Sequence, residues 1–408
     1  MFDLVSNIKT IEILFSAFLF LLPLVSCQDK TTIRNFEELP AVAKKTIING
    51  DTVITANFDL IKDTVDFPVS KLVSELQIIH LENSDSTLVS RYHTFASENY
   101  IGVYTMENEY KLFDRQGNFF RQIGQQGQGP GEYQYLYDSY IDEANHRIYL
   151  MPWMQKKLFM YNFDGQFLQD IPVPEFFPKT RFKIDTEKQL VTFLILPFKG
   201  QNKFAALYQD FKGNILHSIN SERFALEPDY GNEVISFRNT QKTDFYIAGW
   251  PPKQDTLYYY LPEENRLQPV FTFTASEPFL HYYVELPHHV LTVIAQQEIM
   301  DENGQFYLPE PKQFIVDKKS LKGAHVKFVI DEFGNLPVPS RAWFQDGYFI
   351  LNIYPHELIG GLENILSDTK KKLLDETRSK LVQLQNQIDE NGNNIIIIGK
   401  LRCNLEQN

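Results

Sequence analysis

Hydrophobic and polar residues alternate in short stretches along most of the chain, and turn residues separate these stretches, as is typical of β-strands. Three segments align without gaps: LFDRQGNFFRQI (112–123), MYNFDGQFLQDI (160–171) and YQDFKGNILHSI (208–219). Their central glycines are 48 residues apart, and each lies between two predicted strands. A repeat of about 40 to 50 residues with several short strands predicts a β-propeller blade.

Each blade is predicted to contain four strands, because two further apolar alternations precede each aligned segment. In the second unit the four strands are Asp138–Asp142, which is innermost, then His146–Met151, Lys157–Asn162 and Gln166–Ile171. Fainter copies predict a fourth blade over 234–273, most of a fifth over 305–330 (QFYLPE, KQFIVDK and AHVKFVI) and the start of a sixth over 341–354.

The sixth blade is interrupted at residues 362–388, where apolar residues recur at helical spacing, and this pattern predicts one inserted amphipathic α-helix. The strand pattern resumes at 393–402, but an outermost strand is still missing. The segment Ser74–Glu82 can supply it, and such a closing strand removes two exposed sheet edges. The predicted fold is therefore an all-β, six-bladed β-propeller over 51–408, closed by an N-terminal strand.

The N-terminus carries a 14-residue apolar run, Ile13–Ser26, directly before Cys27. The run is too short for a stable membrane span and has the length of a signal-peptide core. LVSC (24–27) resembles the bacterial lipobox, in which the cysteine is lipidated. We therefore predict a lipoprotein signal peptide at 1–26, lipidation of Cys27 and a tether at 27–50. A plain secretory signal or a core helix is the alternative.

Composition excludes several classes of protein. The formal net charge is −13, and no basic stripe offsets it, so binding to nucleic acid is not expected. Aromatic residues make up 14% of the chain, which favours strands over helices. There are only two cysteines, so no disulfide framework and no cysteine metal cluster is possible once Cys27 is lipidated.

A glycine-rich stretch, FFRQIGQQGQGPGEYQY (119–135), raises the question of a phosphate-binding loop. A P-loop needs a lysine beside its Ser or Thr and a helix behind it, and a dinucleotide motif needs G-x-G-x-x-G before a helix. The stretch matches neither pattern, and a strand follows it. We interpret it as the crossover from the outermost strand of one blade to the innermost strand of the next. Such crossovers lie on the same propeller face as the loops between second and third strands.

FDRQGNFFRQIGQQGQGPGEY (113–133) resembles the NHL-type repeat. Together with the lipobox and the closing IIIIGKLR, it makes the chain similar to the six-bladed β-propeller lipoproteins of Bacteroidetes. This resemblance implies a place in the cell envelope, as an outer-membrane lipoprotein facing the periplasm or the cell surface, and an interaction role. It carries over no catalytic residues.

Two groups of residues are candidates for ligand binding. Trp153 and Trp250 both follow the second strand of their blades and are predicted on the crossover face, where their rings can stack on sugars or peptides. The alternative is that they wedge between blades. Arginines recur at or beside innermost strands and can form a cationic ring around the channel that binds a carboxylate or phosphate, or each can lie at the solvent end of its strand and pair locally. These are Arg91, Arg181, Arg238 and Arg341.

Catalytic and metal-binding patterns are weaker. His288 and His289 are adjacent and therefore face opposite sides of a strand, and no H-E-x-x-H or G-x-S-x-G motif occurs. Asp138, Asp142 and His146 lie near one innermost strand, where carboxylates usually cap backbone amides. We predict no catalytic residues, no metal and no cofactor.

The sequence thus predicts a non-enzymatic binding module of the cell envelope that uses its crossover face. Its partner would be a glycan, a peptide or an envelope protein, and it would touch the membrane only through the lipid anchor. A metal-dependent propeller hydrolase or lyase with its site in the channel is the alternative. A structural subunit of an envelope complex, with a large apolar patch on its rim, is a third possibility.

Overall fold

The computed structural model describes residues 36–403, apart from 91–92, 154, 250–254, 297–298, 301–304, 308 and 371. The predicted signal peptide and Cys27 lie outside the described residues. Within the described part of the chain, no helix is long and apolar enough to span a membrane.

Six four-stranded antiparallel sheets succeed one another along the chain as the blades of a propeller, which confirms the predicted fold. Four strands precede the first blade: β1 (Ala43–Ile48), β2 (Asp51–Asn57), β3 (Thr64–Pro68) and β4 (Val73–His80). Blade one contains β5 (His93–Ala96), β6 (Tyr100–Tyr104), β7 (Tyr110–Asp114) and β8 (Phe119–Gln122), and the crossover after it contains β9 (Gln125–Gln126) and β10 (Glu132–Tyr133). Blade two contains β11 (Leu136–Asp142), β12 (Arg147–Pro152), β13 (Lys157–Asn162) and β14 (Phe167–Pro172). Blade three contains β15 (Thr180–Asp185), β16 (Leu190–Ile195), β17 (Phe204–Asp210) and β18 (Ile215–Asn220).

The remaining blades carry the additions to the basic plan. Blade four contains β19 (Glu233–Ile235), β20 (Asp244–Ala248), β21 (Leu257–Leu261) and β22 (Arg266–Thr274). Blade five contains β23 (His281–Glu285), β24 (His289–Ile294), β27 (Lys312–Asp317) and β28 (Gly323–Ile330), with a small hairpin of β25 (Ile299–Met300) and β26 (Phe306–Tyr307), and with β29 (Leu336–Pro337) beside β28. Blade six contains β30 (Trp343–Gln345), β31 (Tyr348–Ile353), β32 (Ile395–Leu401) and, as its outermost strand, β4.

The closing strand lies where the sequence predicts it. β4 pairs antiparallel with β32, with Ile397 opposite Ile78, so the N-terminal strand completes the last blade. This strand pairing between the two ends of the chain closes the ring and covers the outer edge of β32.

Blade five differs from its prediction. Its two inner strands are β23 and β24, in the HYYVELPHHVLTVI region, whereas the predicted strand QFYLPE forms the small β25–β26 hairpin outside the four-stranded sheet. His289 lies on β24, with its Nε2 atom 3.5 Å from Asp317 Oδ2 and its ring against Phe36 and Phe67. The histidine-rich stretch therefore serves the packing of blade five.

The N-terminal segment covers the outer edges of blades four and five. β1 and β2 form a hairpin, β2 pairs in parallel with β22, and β3 pairs in parallel with β28. Phe36 is buried in a hydrophobic cluster that it shares with residues of blades four to six. Phe36, Leu39 and Val42 of the predicted tether are therefore packed on the propeller, β1 forms the mostly exposed edge strand of the hairpin, and residues 27–35 lie outside the described residues.

The helical insertion lies between the second and third strands of blade six, as predicted, but it consists of two helices. These are α1 (Pro355–Ser367) and α2 (Asp375–Gln387), and α1 begins seven residues before the predicted start at residue 362. Leu358, Leu362 and Leu381 are buried in the core cluster of blades four to six. The apolar stripe of the predicted helix thus packs against the propeller.

The core lies between neighbouring blades. Separate hydrophobic clusters join blades one and two, two and three, three and four, four to six, and six and one. The three repeated glycines, Gly117, Gly165 and Gly213, have φ values of 89°, 75° and 88°, a left-handed conformation that favours glycine in the turn between the third and fourth strands. This turn explains the 48-residue repeat.

Candidate ligand-binding site

The crossover face carries a cavity of about 610 Å³ at the propeller axis. Its volume lies in the usual range for small-molecule sites, roughly 300–1,000 Å³. All six blades contribute, because innermost strands begin at this face and second strands end there. The walls include His93 and Tyr104 of blade one, Tyr137 and Trp153 of blade two, Lys179 and Arg181 of blade three, Glu233 and Phe237 of blade four, His281 and Tyr282 of blade five and Trp343 of blade six. We call this cavity the axial pocket.

Many of the residues that line the axial pocket are aromatic. The Phe237 ring lies 6.2 Å from Tyr282 and 6.5 Å from Trp343, between centroids. The Trp153 ring contacts Tyr135 and Tyr230, and these two tyrosines are 50% and 49% exposed. Large exposed aromatic side chains at the mouth of a cavity favour binding of apolar or ring-containing ligands.

The polar side chains of Lys179 and Glu233 on the pocket wall find their partners within the protein. Lys179 Nζ donates to the backbone oxygens of Tyr230 (2.7 Å) and Asn232 (3.0 Å) and forms an ion pair with Glu233. Tyr137 Oη donates a hydrogen bond to the same glutamate. Burial raises the pKa of Tyr137 well above its usual value, so this hydroxyl stays protonated. Lys179 and Glu233 thus neutralise each other.

A second set of polar side chains surrounds His281. Its Nδ1 atom donates to the Phe279 carbonyl oxygen at 2.9 Å, because a carbonyl can only accept. Its Nε2 atom lies 2.9 Å from both Tyr246 Oη and Asp255 Oδ1, and Tyr283 Oη donates to that same carboxylate oxygen at 2.5 Å. This buried network fixes the imidazole at the pocket wall.

Arg238 occupies the propeller axis next to the pocket, one residue after Phe237. Its Nη1 and Nη2 atoms donate to Asp138 at 2.6 and 3.2 Å, and its Nε and Nη2 atoms donate to Asp346 at 2.6 and 3.3 Å. Nη1 and Nη2 also donate to the backbone oxygens of Phe182 (3.0 Å) and Ser139 (2.9 Å). Arg238 therefore joins blades two, three, four and six.

The charges at the axis stabilise one another. Burial alone would lower the pKa of Arg238, but Asp138 and Asp346 raise it well above its usual value, so the guanidinium is charged. Burial also lowers the pKa of His93 to about 4, and the Arg181 charge adds to this effect, so His93 is neutral at pH 7. The axis thus holds a fixed ion cluster rather than an open acidic channel.

A family model described as a domain of unknown function, DUF4934, matches residues 52–400. The chain belongs to the DUF4934 family. Among solved structures, a protein from Bacteroides fragilis NCTC 9343 that is described as exported is similar in fold, with a TM-score of 0.54 and 16% identity, covering 84% of this chain and 99% of that one. A member of the DUF4221 family from Bacteroides vulgatus ATCC 8482 gives a TM-score of 0.47 and 11% identity, covering 81% and 97%. No curated protein matches the chain.

The candidate residues from the sequence lie in different places in this DUF4934 propeller. Trp153 and Arg181 line the axial pocket, and Arg238 is buried at the axis beside it. Arg341 Nη2 instead donates to Glu357 of α1 at 2.8 Å, and Arg341 is not among the residues that line the pocket. Arg91 and Trp250 lie outside the described residues.

The four arginines were expected either to form a ring or to pair locally. In the described part of the chain, Arg181 and Arg238 meet at Asp138, while Arg341 pairs with Glu357. Asp138 was expected to cap backbone amides. It does accept from the Ser139 and Phe182 amides, but its main partner is Arg238. Asp142 caps its turn, accepting from the Asn145 amide at 3.3 Å.

Sequence reasoning missed Tyr137, Lys179, Glu233, His281 and Trp343. All lie at the start of innermost strands or directly before them, so strand position was the signal that could have identified them. Once the blades are placed, the first residues of each innermost strand surround the axis at the crossover face. The innermost strand of blade five was not recognised in the sequence, and His281 was missed with it.

The glycine-rich crossover is satisfied by its own residues. β9 and β10 pair in parallel, and the Glu132 carboxylate accepts from Gly129 N at 2.8 Å and from Gln125 Nε2 at 2.5 Å. A carboxylate occupies the place where a phosphate-binding loop would hold its anion. This arrangement supports the interpretation of the stretch as a connection between blades.

Proposed function

We propose that this DUF4934 protein is an exported, lipid-anchored binding protein that holds a small ligand, or one side chain of a partner, in the axial pocket. The observation that carries the proposal is an aromatic cavity of about 610 Å³ to which all six blades contribute. Rigid strands on six sides pre-organise the cavity, and pre-organisation lowers the entropic cost of binding. The ligand classes expected from the sequence are glycans, peptides and envelope proteins.

The proposal that the protein is exported and lipid-anchored rests on the sequence of the N-terminus and on similarity to a solved structure. The apolar run before Cys27 has the length of a signal-peptide core, and a similar fold belongs to a protein described as exported. The NHL-like repeat supports the same class of envelope propeller. Cys27→Ser should abolish labelling by a fatty-acid analogue and release the protein from membranes, whereas Cys403→Ser, at the exposed free cysteine, should change neither.

Binding without a metal is favoured over the metal-dependent enzyme. Among the described residues, no group of three or more His, Cys, Asp or Glu side chains is placed to hold a metal ion. The two buried carboxylates on the axis are bound by Arg238. Metal analysis of the purified chain tests the alternative: a stoichiometric metal whose removal lowers the melting temperature would support the enzyme and contradict this proposal.

The binding function can be tested with a pair of matched variants. Ala295 lines the axial pocket, so Ala295→Trp should fill it, while Ala144→Trp places the same ring in an exposed turn at the opposite face. A panel of sugars, peptides and aromatic acids is screened by thermal shift. A compound that stabilises the wild type and Ala144→Trp, but not Ala295→Trp, supports the proposal. Equal stabilisation of all three proteins would place binding elsewhere and contradict it.

A further inference from the structure

Arg181 lies on the wall of the axial pocket at the start of β15, and its side chain is only 12% exposed. The guanidinium stacks over the Tyr137 ring at 4.7 Å, which fixes its plane. A guanidinium has five N–H donors, and burial normally requires partners for them.

Few of these donors have a partner in the described structure. Nη1 makes two long contacts of 3.4 Å, to the Tyr137 carbonyl oxygen and to Asp138 Oδ1. Nε is buried without a hydrogen-bond partner, and Nη2 donates no hydrogen bond to any described residue. By contrast, all three nitrogens of Arg238 are bonded at 2.6–3.3 Å.

Asp138 cannot fully satisfy Arg181, because its two oxygens also accept from Arg238 at 2.6 and 3.2 Å and from the Ser139 and Phe182 amides. The other cation on the pocket wall, Lys179, already has three acceptors. Arg181 is thus the cation of the described pocket wall that has donors left for a ligand. Its unpaired edge consists of Nε and Nη2, which is a geometry that carboxylates bind with two parallel hydrogen bonds.

We propose that the axial pocket binds a monocarboxylate with an aromatic or aliphatic body, and that Arg181 binds its carboxylate. This inference rests on the binding function proposed above. The apolar rings of Phe237, Tyr282 and Trp343 accommodate the body. The Trp153 indole N–H, which is also buried without a partner, is a second donor to an acceptor oxygen. A phosphate dianion fits less well, since Glu233 lies on the same wall and only one cation has free donors.

The test uses titration calorimetry on the purified chain without its signal peptide, with four probes: 3-phenylpropionate, its neutral amide, phenyl phosphate and inorganic phosphate. The carboxylate should bind most tightly. Arg181→Met should weaken carboxylate binding by roughly 10- to 100-fold and leave amide binding nearly unchanged, because a hydrogen bond to a charged group is worth about 1.5–3 kcal/mol. Arg181→Lys keeps the charge but loses the paired N–H donors of the guanidinium, so its affinity for the carboxylate should lie between those of the wild type and Arg181→Met.

Arg341→Met is the matched control, because Arg341 also lies at the start of its blade but pairs with Glu357. It should leave the affinity for each probe unchanged. A second readout needs no ligand: Asp138 keeps its short bonds to Arg238 in Arg181→Met, so this variant should lose much less stability than Arg238→Met. A large loss of stability in this variant would show that Arg181 is structural and would overturn the assignment.

The outcomes separate the two proposals. Equal binding of carboxylate and amide, unchanged in Arg181→Met, would overturn the carboxylate assignment and leave the pocket function standing. Tightest binding of a phosphate compound, lost in Arg181→Met, would overturn the monocarboxylate class. If no probe binds and no compound of the wider panel is blocked by Ala295→Trp, the pocket function itself is overturned.

Discussion

Removal of the Arg238 side chain tests whether an ion cluster holds the blades together at the axis. In Arg238→Met, Asp346 loses its cation and Asp138 keeps only the 3.4 Å contact with Arg181, while both carboxylates remain buried, with side chains 5% and 0% exposed. Breaking a buried pair in this way costs about 3–5 kcal/mol, because a charge is left without compensation. We expect a fall of about 4 kcal/mol in the free energy of unfolding at pH 8.

The assay is urea unfolding followed by tryptophan fluorescence, with the change taken from the midpoint at unchanged slope. The triple variant Arg238→Met, Asp138→Asn and Asp346→Asn removes all three charges and should recover most of the loss. Arg341→Met is the control on a partly exposed ion pair and should cost less than about 1 kcal/mol.

The pH dependence gives an independent check. Burial already raises the pKa of Asp346, and loss of the Arg238 charge, which opposes that effect, raises it further. The folded variant then binds protons that the unfolded chain does not, so its deficit relative to wild type should shrink as the pH falls from 8 to 5. A loss below about 1 kcal/mol at pH 8, or a deficit that grows on acidification, would refute the reasoning.

Other predictions follow from single features of the fold. His93 has a pKa of about 4 in the folded protein against 6.5 in the unfolded chain. Between these values the unfolded chain binds a proton that the folded protein does not, so the stability contribution of His93 is complete above pH 6.5 and is lost as the pH falls towards 4. His93→Gln should therefore flatten the fall in melting temperature between pH 7 and 4.5. Gly360→Ala in α1 should stabilise the protein by about 0.5–1 kcal/mol in urea unfolding, because an added Cβ meets nothing within 4 Å, whereas Gly361→Ala places that atom 2.9 Å from Leu336 Cδ1 and should give no gain. Removal of β1 and β2 should expose the β22 edge and raise light scattering on storage relative to the intact chain, and an unchanged scattering signal would show that this edge needs no cover.

The sequence predicted most of the fold because its repeat has a physical cause. The turns at Gly117, Gly165 and Gly213 need a left-handed residue, so the glycine recurs at a fixed spacing in blades one to three. In blade four the same position is filled by a different turn, with Asn265 at φ 47°, and in blade five by Leu321 at φ 63°. The left-handed conformation is kept there without glycine, so the repeat fades in the sequence although the blades continue.

The parts that could not be predicted depend on contacts between distant residues. β2 and β3 pair in parallel with strands more than two hundred residues later in the chain, and neither strand carries a repeat signal of its own. The QFYLPE segment has the alternation of a blade strand but forms a separate hairpin, while HYYVE and HVLTVI supply the inner strands. Local alternation identifies a strand, but the sheet that it joins is decided by its neighbours.

The availability of the arginines at the candidate site also depends on contacts between residues that are distant in the sequence. The sequence left open whether arginines at or beside innermost strands face the channel or pair locally, and Arg181 and Arg238 differ in this respect although they share Asp138 as a partner. Arg238, at φ 55°, reaches Asp138 and Asp346 together, and it occupies the carboxylate oxygens that Arg181 would otherwise bind. Because two carboxylates are committed to one guanidinium, the second guanidinium is left with donors facing an apolar pocket. A ligand carboxylate would supply the acceptor that Arg181 lacks within the protein. The ion cluster around Arg238 therefore determines which donors the axial pocket offers to a ligand.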